Sequence, residues 1–329
     1  VSSGNRRKRS STAKTFRVAT AVRSALRAKK AVVGLESSVF AHGLPYPHNE
    51  STARAMLNAA HEEEAVGCVV AVSDGEVFVG ADADTITDIC KNADRWGKLT
   101  LGDLAPALAL GMSGAVTVSG LLAVAHEAGI VANATGGIGG VHRNYGETLD
   151  MSADLPALAK CGGVLVCSGV KAVLNVQATV EVLETWGIPV VGFETDELPG
   201  FYAATTGIGL SCYTDSVERI VEIYHRQQEL GLSATVLVVQ SPPRETAIHR
   251  ADLDEWVHEA MRDAARRDIK GKALTPFLLA KLAELSEGKT LEVNRALLVQ
   301  NVRLAARIAR ELARTRGATG KRRRATVAS

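Results

Sequence analysis

Lys171 follows the apolar run Val164 to Cys167 through Ser168-Gly169-Val170. A lysine at the end of a buried strand, with few charged neighbours in sequence, is open to desolvation. That lowers an ammonium pKa from its usual value near ~10.4 and frees the amine as a nucleophile. The ordinary alternative is a side chain that lies along apolar surface and lifts its head into water. Glu36 and Lys98 are similar, each polar at the end of an apolar run. The stretch Thr135-Gly136-Gly137-Ile138-Gly139-Gly140-Val141-His142-Arg143 is the densest signal in the chain. Its four glycines let backbone N–H groups come close to an anion, and His142 and Arg143 add charge or donors. A tight turn serving packing alone explains the same glycines. The run lacks the GK[ST] ending of a phosphate-binding loop, and no helix follows directly as in a dinucleotide fingerprint. Asp150 and Asp154 flank Met151-Ser152-Ala153. Such a pair can hold a hard divalent cation with water, or it marks a helix start with Ser152 as cap and Asp154 in the first turn. Both can hold at once. Asn294, near the start of the last helix, and His42, in a Pro-containing loop, have ordinary cap, surface and loop explanations.

These residues need elements that bring them together. Short apolar runs at Ala31–Leu35, Cys68–Val72, Glu76–Val79, Ala115–Val118, Ile130–Ala134, Val164–Cys167, Val190–Phe193 and Ala234–Val239 read as strands. Helical spacing appears over Val18–Lys30, from near Asn49, over Asp82–Asn92 and over Ala172–Trp186. Three further helices run from about Asp252, Pro276 and Leu291, the last reaching roughly Arg314. Continuous apolar strands alternating with helices imply an α/β/α sandwich: a central, largely parallel sheet with a helical C-terminal part. Glu36, Lys98, Thr135 and the Lys171 region all follow strand ends, where open α/β sheets place ligands. The expected organisation is one domain over residues 18–314, with disordered basic tails at 1–17 and 315–329.

With 329 residues and 46% hydrophobic content, the chain can bury a sizeable core. The formal charge of +2 combines a nearly neutral body with basic runs at Arg6–Arg9 and Lys321–Arg324. An all-over nucleic-acid surface is not indicated, and aromatic content of 4% leaves few platforms for stacking bases. The five cysteines lack paired CxxC spacing and read as reduced thiols. No apolar stretch reaches the roughly 18 residues of a membrane span, and no secretory signal core is seen. A soluble, cytoplasmic protein is expected.

In this order, Val33-Gly-Leu-Glu-Ser-Ser, His42-Gly-Leu-Pro-Tyr-Pro, the glycine-rich run, Thr148-Leu-Asp-Met-Ser-Ala-Asp154 and Cys167-Ser-Gly-Val-Lys171 resemble the pseudouridine-5′-phosphate glycosidase family. Leu183-Glu-Thr-Trp-Gly-Ile-Pro189 and Thr275-Pro-Phe-Leu-Leu279 extend the resemblance, which covers roughly residues 18 to 314. The resemblance implies an α/β/α domain assembled as a homotrimer. It also implies a divalent metal, typically Mn2+, and reversible cleavage of pseudouridine 5′-phosphate to uracil and ribose 5-phosphate. By position, Lys171 matches the family's Schiff-base nucleophile, Glu36 its proton donor and Asp150 its metal ligand. Lys98, Val118, Ser152, Ala153 and Asp154 match substrate contacts, and Asn294 a further active-site residue. Thr135 and His142, in the glycine-rich run, join the expected substrate-binding set.

The chain departs from the family pattern at several places. Leu101-Gly102-Asp103-Leu104 lacks one or two cations, and Ser73-Asp74-Gly75-Glu76 replaces a more apolar segment. Ala172 and Asn175 stand for Ser and Asp, and Ser38 and Val39 for Thr and Ile. Either these are neutral, or the aglycone site has changed while ribose 5-phosphate handling is kept. The second case would make the chain a C-glycosynthase that joins ribose 5-phosphate to a larger aromatic acceptor. A Schiff-base aldolase on a closed β/α barrel would use a strand-end lysine too, but the strand count and the long C-terminal helices speak against a barrel. Retention of the lysine and the matched polar positions speaks against a non-enzymatic sugar-phosphate or RNA-binding protein.

Overall fold

Runs such as Val164–Cys167 (VLVC) and Val236–Val239 (VLVV) carry no polar alternation because both of their faces are covered, and every residue in them is buried. In a computed structural model, which describes residues 15–326, eleven strands form one sheet. They are β1 (Phe16–Val18), β2 (Val32–Glu36), β3 (Val66–Ser73), β4 (Glu76–Val79), β5 (Gly97–Leu99) and β6 (Gly114–Val116). The others are β7 (Ala132–Ala134), β8 (Val164–Cys167), β9 (Val190–Phe193), β10 (Tyr213–Thr214) and β11 (Val236–Val239). The main path runs β1-β4-β3-β2-β7-β8-β11-β9-β10, with β6 pairing β3 and β5. Only the β3–β4 and β3–β6 pairs are antiparallel; the remaining pairs are parallel. Helices and apolar side chains cover both faces in two buried clusters. The α/β sandwich expected from the alternation is therefore present.

Three boundaries differ from expectation. Phe16 and Arg17, assigned to a tail, extend the sheet as β1 against β4, with Phe16 opposite Val77; residues 1–14 lie outside the described residues. The final helix runs from Lys289 to Thr326, past the expected break at 315; 327–329 also lie outside the described residues. Val118 does not end a strand but opens the helix Val118–Ala128, because Thr117 turns the chain one residue after β6.

The site rests on the central parallel strands. Leu35 of β2 pairs Ala134 of β7, and Ala134 pairs Val166 of β8. This register brings Glu36, Thr135 and Cys167 side by side at the carboxyl edge. The helix Lys289–Thr326 packs across β2, β7 and β8. No helix among the described residues is long and apolar enough to cross a membrane.

Candidate active site

Glu36 closes β2 and is 3% exposed. Its two carboxylate oxygens accept hydrogen bonds from different hydroxyls, Oε1 from Thr135 and Oε2 from Ser38. Thr135 reaches it because the β2–β7 register sets the two strand ends abreast. Ser38 reaches it because the chain curls straight from β2 into one turn of π-helix, Val39–Gly43. Its neighbour Ser37 has a different task, donating to Val70 O at 2.7 Å and accepting from Val116 N–H at 2.9 Å.

Lys171 faces the same cavity, of about 160 Å3, together with Glu36, Lys98, Thr135, His142 and Asn294. It sits at the end of a segment laced to the glycine-rich run by backbone bonds. Ser168 N–H donates to Gly136 O at 2.8 Å, Ile138 N–H to Gly169 O at 3.0 Å, and Lys171 N–H to Ile138 O at 3.1 Å. Gly169 takes φ +88°, where a Cβ would fall on the Pro199 carbonyl. Lys171 is half-buried, and no carboxylate pairs with it among the described residues. A lysine held by its backbone and left without a counter-ion suits nucleophilic use better than a surface ion pair does.

The glycines of the 136–140 run act mainly through close approach. A Cβ on Gly137 would lie 2.6 Å from the Phe201 ring and 3.0 Å from Gly169 O, and one on Gly139 would fall on the Ser152 hydroxyl. Packing thus accounts for these glycines. The run still lines the cavity through Gly136, Gly137 and Gly139. Arg143 leaves it: its guanidinium donates to Ala172 O at 3.2 Å and lines a neighbouring cleft.

The two aspartates separate in role. Asp154 is 4% exposed, and its carboxylate accepts from Ser119 N–H at 2.9 Å and Gly139 N–H at 2.8 Å. It opens the helix Asp154–Lys160, and its own N–H donates to Ser152 Oγ at 3.2 Å. The reading of both aspartates as a cation pair is corrected to this extent: Asp154 is occupied in tying the glycine-rich run to the helix Val118–Ala128. Asp150 stays open to the cavity, its Oδ2 3.8 Å from His142 Nε2. No group of three or more His, Cys, Asp or Glu among the described residues forms a metal cage. Glu36 and Asp154 also line the cavity but are already hydrogen-bonded, so Asp150 is the carboxylate that fits a hard cation completed by water and a sugar phosphate, the arrangement such ions accept; it does not fit a site built wholly of protein ligands.

Two imidazoles border this cavity. Burial holds His142 below the usual histidine range, with Lys98 adding to the effect and Asp150 opposing it. Burial and Lys98 also lower His42, against a hydrogen bond to the Trp96 backbone. His42 Nε2 is buried with no hydrogen-bond partner among the described residues, and so is Asn294 Oδ1. Both residues line the cavity, so each brings an unspent polar atom to it. His42 carried only weak evidence in the sequence; its place follows from Asn49, whose amide donates to Phe40 O and Cys90 O and fixes the π-helical turn.

Of the expected contacts, Val118 and Ala153 do not line the cavity. The Val118 side chain is fully buried in the core, while Thr117 beside it lines the site. Ala153 is half-buried between Ser152 and Asp154, which both line it. The departures from the family pattern fall mostly elsewhere. Ser73–Glu76 is the β3–β4 turn, and Asp103 forms a capping box with Thr100. Asn175 Oδ1 caps the helix Val176–Thr185 by accepting from Ala178 N–H at 3.0 Å, work that needs no charge. Ser38 keeps the hydroxyl that a threonine would supply.

A family model described as indigoidine synthase A like protein matches residues 21–311. The pseudouridine-5′-phosphate glycosidase of Caldanaerobacter subterraneus subsp. tengcongensis is 40% identical over 291 residues, covering 88% of this chain and 94% of the relative. Among solved structures, the prealnumycin C-glycosynthase in complex with ribulose 5-phosphate aligns with a TM-score of 0.85 at 29% identity, over 93% of this chain and 99% of the other. An indigoidine synthase A-like protein from Thermotoga maritima aligns with a TM-score of 0.83 at 32% identity, over 91% and 96%. Model and relatives span nearly the whole sheet and the cavity at its carboxyl edge, and the chain belongs to the indigoidine synthase A-like family, with the pseudouridine-5′-phosphate glycosidases among its relatives.

Proposed function

We propose that this chain makes and breaks the C–C bond between C1′ of ribose 5-phosphate and C5 of uracil, as a pseudouridine-5′-phosphate glycosidase. The observation that carries the reading is the meeting, in one cavity, of Lys171 without a carboxylate partner and Glu36 held by two hydroxyls. The names of the relatives support the same reading.

A carbon-linked ring is a poor leaving group, so the sugar must become the electron sink. In the cleaving direction the ribose ring opens as O4′ takes a proton, and the Lys171 amine bonds to C1′. The nitrogen lone pair then forms an iminium while the C1′–C5 bond breaks, and C5 takes up a proton. Water adds to the iminium, releasing ribose 5-phosphate and the free amine. Glu36 is the proton carrier, a role typically worth about 10²–10⁴-fold. Lys98, His142, Ser152 and Asn294 hold the open sugar phosphate near attack geometry. Thr135 orients Glu36, while Asp154 acts through the backbone it holds. A divalent ion such as Mn2+, bound through Asp150, would supply charge neutralisation for the sugar phosphate.

The same steps run backward form a C-glycoside. The alignment with a C-glycosynthase favours this as a second reading, with a larger aromatic acceptor in place of uracil. A homotrimer and a cytoplasmic location belong to the proposal as well; a sedimentation mass other than three chains would remove the trimer.

Borohydride trapping with ribose 5-phosphate and Mn2+ tests the chemistry. A reduced pentose-phosphate adduct on Lys171, absent in Lys171→Ala, is the expected result. Its absence from folded protein would remove the Schiff base. Adding uracil, and then larger aromatics, separates the two readings by which acceptor yields a C-glycoside.

A further inference from the structure

Asn301 lies on the helix Lys289–Thr326, is 0% exposed and does not line the cavity. Yet its amide gathers the ends of three adjacent parallel strands. Nδ2 donates to Thr135 O at 2.8 Å and Gly136 O at 3.4 Å, just beyond β7. It also lies 3.2 Å from Ser168 Oγ, just beyond β8. Oδ1 accepts from Gln240 Nε2 at 2.8 Å, just beyond β11.

These contacts fall on the two segments that carry the chemistry. Thr135 is the residue whose hydroxyl holds Glu36. Ser168 starts the laced segment that ends at Lys171, and its N–H already bonds Gly136 O. The Thr135 carbonyl accepts from the helix side chain, and Gly136 O is shared between Asn301 Nδ2 and the neighbouring Ser168 N–H. In this water-poor setting, an unmet carbonyl would pull the segments out of line. We propose that Asn301 is a positioning residue that sets the spacing of Lys171 and Glu36 from behind the sheet. Only a side chain with two donors and an acceptor in one plane meets all three strand ends, and asparagine has that set. The inference rests on the proposed function for the identity of the reaction, but not for the geometry it concerns.

The test uses the full chain with Asn301→Leu and Asn301→Asp. Lysine acetylation by a small neutral reagent, read peptide by peptide, gives the Lys171-to-Lys98 labelling ratio without any substrate. Condensation of uracil with ribose 5-phosphate gives kcat and KM below the melting temperature of each variant. Asn301→Leu is expected to change the labelling ratio and to lower kcat by about 10²-fold, the scale of a misplacement near 1 Å, with KM little changed. Asn301→Asp regains a donor only when protonated, so its kcat should recover toward acid pH, a profile that loss of stability alone does not produce. If Asn301→Leu does not fold, Asn301→Asp carries the test. A folded variant with wild-type labelling ratio, kcat and pH profile overturns the inference. A missing borohydride adduct in the unaltered protein would instead strike the proposed reaction and leave the labelling result standing.

Discussion

Glu36 and Asp154 are both buried carboxylates within reach of one cavity, and they differ in what they accept from. Asp154 accepts two backbone N–H groups, donors fixed in direction by the chain that carries them. Glu36 accepts two hydroxyls, Thr135 and Ser38, which can rotate and accept in turn. A carboxylate tied to amides serves as a fixed anchor. One tied to hydroxyls can give and take a proton without losing its partners.

The sharpest way to break this comparison is Glu36→Gln. Glutamine can satisfy both hydroxyls, so the melting temperature should barely move, while kcat falls by about 10²–10⁴-fold. Native turnover in that variant would take Glu36 out of the chemistry. Asp154→Asn should show the opposite split. One backbone N–H loses its acceptor at a cost of about 1–3 kcal/mol, read as a lower urea midpoint, with activity lost in step with folding. Ser38→Ala and Thr135→Val each remove one hydroxyl from Glu36 and should lower kcat roughly tenfold, since a hydrogen bond to a charged group contributes about 1.5 kcal/mol or more. A larger loss of stability than of turnover would make these hydroxyls structural.

The smallest effect concerns the imidazoles beside the carboxylates. His42 and His142 are both lowered in the folded chain. The unfolded chain therefore binds more protons in acid, and stability should fall as pH drops below about 6.5. Lys98→Met removes a cation that lowers both, so the acid-side slope of the urea midpoint should become shallower. An unchanged slope between pH 7 and pH 5 would mean that the two rings do not govern it.

Much of this was readable in the sequence for physical reasons. Strands covered on both faces become continuous apolar runs, so β8 and β11 stood out, and with β8 the lysine beyond it. Strands of three residues such as β1 and β5 are too short to display a period, and β1 was read as tail. Val118 was misplaced because Thr117, a β-branched residue at home in a strand, gives no sign of the turn that it makes between β6 and the next helix. Asp150 and Asp154 looked like a pair because spacing does not show which way carboxylates point. Both line the cavity, but the helix start at Asp154 aims that carboxylate at the Ser119 and Gly139 N–H groups, while Asp150 has no such tie. Asn301 was invisible, since its partner Thr135 lies 166 residues away and nothing in its own helix marks it.

That distance also has a meaning in time. Synthesis proceeds at roughly 5–20 residues per second, so the stretch from Thr135 to Asn301 takes on the order of 8–33 s to emerge. Through that interval the β7 and β8 ends can align, with Ser168 N–H on Gly136 O, but the Thr135 carbonyl lacks its Asn301 donor. On the proposed role of Asn301, Lys171 and Glu36 come to their final spacing only when the last long helix arrives, so the half-made chain holds the two side chains without it.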